Sequence, residues 1–132
     1  MKKVIDAHAL LTFLEREPGF EKVEAIFVNA VEKDSNVLMS AVNFGEVYYI
    51  VLRECGPKKL EEVIRAIESL PIDILDVDKE LAKEAGELKA HKKMSYADCF
   101  AAALAKINRA ELITGDKDFK EVEDKLKIVW IE

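Results

Sequence analysis

Apolar residues follow two alternating rhythms along this chain. Short apolar runs occur in "KKVID" (residues 2–6), "NVLMS" (36–40), "IDILDV" (72–77), "ELIT" (111–114) and "KIVWI" (127–131). Each is too short for a helix and predicts a strand. Between them, apolar positions recur at helical spacing. Residues 7–17 place Leu10, Leu11 and Leu14 inward, and residues 20–33 do the same with Phe20, Val23, Ile26, Phe27 and Val31. Further helices are predicted from Ser40 to about Cys55, over 58–69, over 78–91 and from Ser95 to Ala110. Ser40 and Ser95 are suited to capping, while Pro18-Gly19 and Gly56-Pro57 break the pattern. A short helical turn around Asp118 to Val122 joins the last two strands.

Strands that alternate with helices and are apolar on both faces imply a parallel sheet covered on each side. The expected architecture is therefore an α/β fold, a three-layer α/β/α sandwich with a central parallel sheet. No repeat, low-complexity tract or linker interrupts residues 1–132, so one domain is expected.

Composition narrows the chemistry. Half of the 132 residues are hydrophobic and 35% are charged, as in a compact soluble domain. No apolar run approaches the ~18 residues of a membrane span. Asp6 and His8 interrupt any signal-like segment near Met1, so a cytoplasmic location is expected. Cys55 and Cys99 lie far apart in apolar surroundings and are expected to be buried free thiols. There is no zinc-ligand spacing, no G-x-S-x-G and no G-x-x-x-x-G-K, which removes zinc enzymes, serine hydrolases and P-loop enzymes. A net charge of -6 argues against a passive whole-surface nucleic-acid binder. It leaves room for an enzyme that meets nucleic acid through metal ions and a small basic rim.

Most of the 26 acids lie on Lys/Glu-rich helix faces and are expected to be solvated. Five are out of place. Asp6 ends the first strand, where it also suits capping the first helix. Glu46 sits in the apolar "NFGEVYYIVL", with Asn43 on the same face. Burying its charge costs several kcal/mol unless it is paired, for which Arg53 is the candidate partner. Asp98 follows Ser95 at capping-box spacing. The same face continues through Ala101, Ala102 and Ala105, small residues that let the helix approach a sheet closely. Asp116 and Asp118 follow the fourth strand. In open parallel sheets, sites form beyond the carboxyl ends of the strands, and Asp6, Glu46, Asp98 and Asp116 can all reach that edge. Converging carboxylates repel, and a hard divalent cation such as Mg²⁺ relieves the repulsion.

Taken together, "VIDAHALL", "SAVNFGEVYY", "SYADCFAAALA" and "LITGDKDF", with "VWI" closing the chain, resemble the PIN-domain nucleases. Within that family they resemble the small VapC-type toxin ribonucleases. The resemblance implies an acidic pocket that binds Mg²⁺ or Mn²⁺ and endonucleolytic cleavage of RNA by a metal-activated water. It assigns Asp6, Glu46, Asp98 and Asp116 to the four acidic positions, with Asp118 and Thr114 in support. His8 departs from the Ser, Thr or Asn usual two residues after the first acid. The resemblance further implies an antitoxin protein that holds the nuclease inactive, and a homodimer. Part of the apolar stretch Phe44, Val47, Tyr48, Tyr49, Ile50 and Val51 is expected to pack against another chain, the alternative being a fully buried central helix. Lys92, Lys93 and Lys117 are candidates for gripping RNA phosphates, and His91 is expected to be a plain exposed residue. Two alternatives stand beside the nuclease: a catalytically silent PIN fold, and a receiver-like binding module.

Overall fold

A computed structural model describes all residues, 1–132. The strands are β1 (Lys3–Ile5), β2 (Val37–Ser40), β3 (Ile72–Leu75), β4 (Glu111–Thr114) and β5 (Ile128–Trp130). The helices are α1 (Ala7–Leu14), α2 (Phe20–Glu32), α3 (Ala41–Glu68), α4 (Lys79–His91) and α5 (Tyr96–Asn108). A 3-10 turn covers Lys117–Val122. The strands form one sheet in the order β3-β2-β1-β4-β5, and every pairing is parallel. This differs from the 2-1-3-4-5 order of flavodoxin-like domains, to which receiver-like modules belong.

Successive residues of the central strands feed opposite faces, because side chains alternate along a strand. Val4 and Leu112 join α4, α5 and the 3-10 turn in one core, with Ala101, Ala102, Ala103 and Phe119. Ile5 and Ile113 join α1, α2 and α3 in the other, with Leu10, Val23, Val47 and Val63. The result is the expected three-layer sandwich. The chain runs outward from β1 through β2 to β3, then restarts on the other side of β1 with β4. The sheet therefore has its switch point between β1 and β4, where a crevice opens at the strands' carboxyl ends.

Several local expectations are corrected. The third strand is not apolar on both faces: it is an edge, with Asp73 and Ile74 exposed. One break stands as expected: Gly56-Pro57 divides α3 into two helical segments. Gly56 alone leaves helical geometry (φ 84°, ψ 172°), and the helix resumes with Pro57. Val31 is 66% exposed, since α2 buries only Val23, Phe27 and Ala30. Cys99 is buried, but Cys55 is exposed near the bend in α3. The aromatic stretch of α3 divides: Val47 and Val51 are buried, while Tyr48 and Tyr49 face outward, so it is not a fully buried central helix. Arg53 lies over the Tyr49 ring, 5.2 Å from its centroid, and makes no ion pair with Glu46.

Candidate active site

The crevice between β1 and β4 collects the acids. Asp6 follows β1 and is 2% exposed. It caps α1, its Oδ1 accepting from the Ala9 amide at 2.8 Å, so its capping and site roles coincide. Its Oδ2 accepts a 2.6 Å hydrogen bond from the Thr114 hydroxyl at the end of β4. The Thr114 Oγ1 in turn accepts from the Asp116 amide at 2.9 Å. Asp116 Oδ1 then accepts from the Asp118 amide at 2.9 Å, which begins the 3-10 turn. One buried hydroxyl thus ties the first strand's acid to the loop that carries the last two. Replacing Thr114 by Val keeps the shape and removes both hydrogen bonds. We expect it to lower stability by about 1–3 kcal/mol, read from urea denaturation midpoints.

Two helices deliver the remaining acids. Both begin at the crevice, because a helix leading from β2, or returning to β4, must start or pass at the carboxyl edge. Ser40 caps α3 through Val42, and the next turn carries Glu46, whose Oε1 accepts from Asn43 Nδ2 at 2.8 Å. Ser95 Oγ accepts from the Asp98 amide at 3.1 Å, so capping again coincides with placement in the site. The buried alanines of α5 seat the helix close against the sheet.

Asp98, Asp116 and Asp118 each offer a ligand oxygen, and the three oxygens lie within 4.8 Å of one another. Asp6 and Glu46 stand outside this tightest group, though their charges act on it. The family resemblance gives Asp118 only a supporting role, whereas the structure groups it with Asp98 and Asp116. Its signal was local: an Asp two residues after Asp116, at the start of a turn whose amide folds back on the first acid. His8 is exposed, with its ring packed on Gly115; a Cβ there would lie 2.7 Å from His8 Cε1. No hydrogen bond joins the ring to a carboxylate. His91 is exposed, as expected.

The electrostatics show groups under mutual strain. Burial pushes the Asp6 carboxyl from its ordinary 3.8 up to about 7, against the Thr114 and Ala9 hydrogen bonds; Asp98 and Asp116 raise it further. Burial, then the charges of Asp116 and Glu46, raise Asp98 to about 6. Glu46 is raised by burial, opposed by Asn43. The five ion pairs of the chain all lie elsewhere, so no Lys or Arg neutralises these acids. Clustered oxygen donors with no protein counter-charge fit a hard divalent cation.

A parallel α/β sandwich whose switch point is lined with acids is suited to holding a divalent cation. The PIN domain family profile matches residues 3–125, and the chain belongs to the PIN-domain family. Among curated proteins it is 29% identical over 127 residues to VapC ribonuclease Mb0640 of Mycobacterium bovis, covering 91% of this chain and 94% of that one. Ribonuclease VapC30 of Mycobacterium tuberculosis matches with the same identity and coverage. Among solved structures, DNA-bound VapBC from Salmonella typhimurium superimposes with TM-score 0.79 at 16% identity, covering 100% of this chain and 99% of that chain. VapC20 from Mycobacterium tuberculosis, a Sarcin-Ricin loop cleaving toxin, gives TM-score 0.67 at 15% identity, covering 90% and 93%.

Proposed function

We propose that this protein is a divalent-metal-dependent endoribonuclease, the toxin of a toxin–antitoxin pair. The observation that carries the reading is the group of Asp98, Asp116 and Asp118 oxygens within 4.8 Å at the β1/β4 switch point, with Asp6 buried beside it. Relatives 29% identical over nearly the whole chain are named VapC ribonucleases, and this agrees with it.

Asp98 and Asp116, with Asp118 and Asp6, would hold the cation, and Glu46 lies beside them. Mg²⁺ or Mn²⁺ suits an all-oxygen donor set of this kind. When bound, the cation supplies Lewis acidity toward phosphate and lowers the pKa of water. The chain's own residues fix the donors. Thr114 orients Asp6 and the Asp116 loop, Ser95 caps the turn carrying Asp98, and Asn43 holds Glu46. The buried alanine face of α5 keeps that helix from receding.

Lys92 and Lys93 lie just before Ser95, the cap of α5, and Lys117 lies between Asp116 and Asp118. The Lys93 amide is pinned to Glu121 Oε1 at 3.1 Å, which ties the segment before α5 to the turn that carries Asp118. We expect that neutralising Lys92 and Lys93 together lowers RNA affinity and reduces the slope of log affinity against log salt by about one to two. Filter binding to the Asp98→Asn protein across salt concentrations measures this; an unchanged slope removes these lysines from the interface.

An antitoxin and a second copy of the chain are the proposed protein partners. Tyr48 and Tyr49, 43% and 49% exposed on α3 beside Leu52 at 40%, offer an apolar surface for one of them. No helix is long and apolar enough to cross a membrane; we place the protein in the cytoplasm. Cleavage of RNA with Mg²⁺ or Mn²⁺, absent in excess chelator, tests the activity. Cleavage that persists in chelator defeats the metal-dependent mechanism.

A further inference from the structure

Asn43 is wholly enclosed, at 0% exposure, in the first turn of α3. Its Nδ2 donates to Glu46 Oε1 at 2.8 Å and to the Ala97 carbonyl at 3.1 Å. Glu46 is one turn further along α3, and Ala97 immediately precedes Asp98 in α5. A single amide therefore joins the acid-bearing turns of two helices that are remote in sequence. Both neighbours are acceptors, so the nitrogen must face them. The other half of the amide has no such arrangement: Oδ1 is buried and meets no donor.

A buried acceptor without a donor is a net cost to a fold, and such groups are uncommon. Leucine has the same branched outline without that cost, but it is larger and lacks both donors. Aspartate would set two oxygens against the Glu46 carboxylate and the Ala97 carbonyl. Glutamine would carry the nitrogen a carbon too far. Only an amide of this length makes both donations from this position.

We propose that Asn43 is a positioning residue that sets the spacing between the Glu46 and Asp98 carboxylates by bracing α3 against the first turn of α5. This rests on the reading of the site as a divalent-cation-dependent nuclease, and names what holds one side of it in register.

The test compares wild type, Asn43→Leu, Glu46→Gln and the double variant as full-length proteins. Mn²⁺ affinity is read by calorimetry, and unfolding midpoints are read without metal. Asn43→Leu deletes two hydrogen bonds along with the orphaned acceptor, so its unfolding midpoint serves to establish that it is folded under the conditions of the binding assay. It should bind Mn²⁺ about 10- to 100-fold more weakly, as loss of a group that orients metal ligands does. In the Glu46→Gln background the same change should cost less than in wild type, because part of the role of Asn43 runs through the Glu46 carboxylate. Should Asn43→Leu fail to fold, Asn43→Ala takes its place in the cycle. Wild-type Mn²⁺ affinity in the folded variant, or losses that simply add, would overturn the proposal and leave Asn43 a packing residue. Wild type that neither binds Mn²⁺ nor cleaves RNA would overturn the nuclease reading itself, and this inference with it.

Discussion

Replacing Asp98 by Asn is expected to lower RNA cleavage by at least about 100-fold, since even partners that only orient metal ligands are worth 10- to 100-fold. The substitution is close to isosteric. The cap is untouched, because it runs from the Asp98 backbone amide to Ser95 Oγ and does not use the side chain. Helix α5 keeps its seat on the sheet through Ala101, Ala102 and Ala105, all at 0% exposure. What changes is charge: one of three closely spaced ligand oxygens no longer carries its share of the negative charge that attracts a cation. Asp98→Asn should therefore fold as well as wild type and be slightly more stable without metal, since burial and the Asp116 and Glu46 charges disfavour its ionised form. Cleavage of a labelled RNA under single-turnover conditions, with unfolding midpoints measured in parallel, separates the two effects. Equal cleavage rates in the folded variant and wild type would remove Asp98 from the site.

Much of this arrangement is legible in the sequence because the signals are local. A parallel strand buried on both faces must be apolar throughout, so an acid at its end stands out; Asp6 and Asp116 are found that way. Ser40 and Ser95 announce helix starts, which fixes Glu46 and Asp98 on early turns. The tightness of the grouping is not legible. Whether Asp118 belongs with Asp98 and Asp116 depends on a 3-10 turn in which the Asp118 amide hydrogen-bonds Asp116 Oδ1, and no periodicity encodes that. Exposure is the other weak point. Apolar residues on α3 and β3 look buried in one dimension, yet Tyr49 and Ile74 face outward, because a helix has more sides than its neighbours cover and an edge strand lacks a partner. Arg53 illustrates the same limit: helical spacing made it a candidate partner for Glu46, and the Tyr49 ring lies nearer.

The metal-free protein is expected to lose stability as pH rises from about 4 to about 7, the reverse of the usual behaviour of a carboxylate-rich protein. The sign follows from Asp6. Its carboxyl titrates at about 7 in the folded state, against an ordinary 3.8, because burial disfavours the ion more than Thr114 and Ala9 favour it. Between those values the folded chain holds a proton that the unfolded chain has released. Stability then falls with rising pH across that window and levels off above it. A shift of that size corresponds to roughly 4 kcal/mol for a group this enclosed. Asp98 and Glu46, both raised mainly by burial, act in the same direction. A divalent cation reverses the trend, because it binds the ionised folded form and stabilises it by mass action. Urea midpoints should therefore be higher at pH 5 than at pH 8 in chelator, and Mg²⁺ or Mn²⁺ should raise them at pH 8 but scarcely at pH 5. Asp6→Asn isolates the cause, since it keeps an acceptor for the Ala9 amide and has no proton to lose. It should flatten the metal-free dependence and weaken the response to cation. A pH dependence identical in Asp6→Asn and wild type would mean that this carboxyl is not the group that sets it, leaving Asp98 and Glu46.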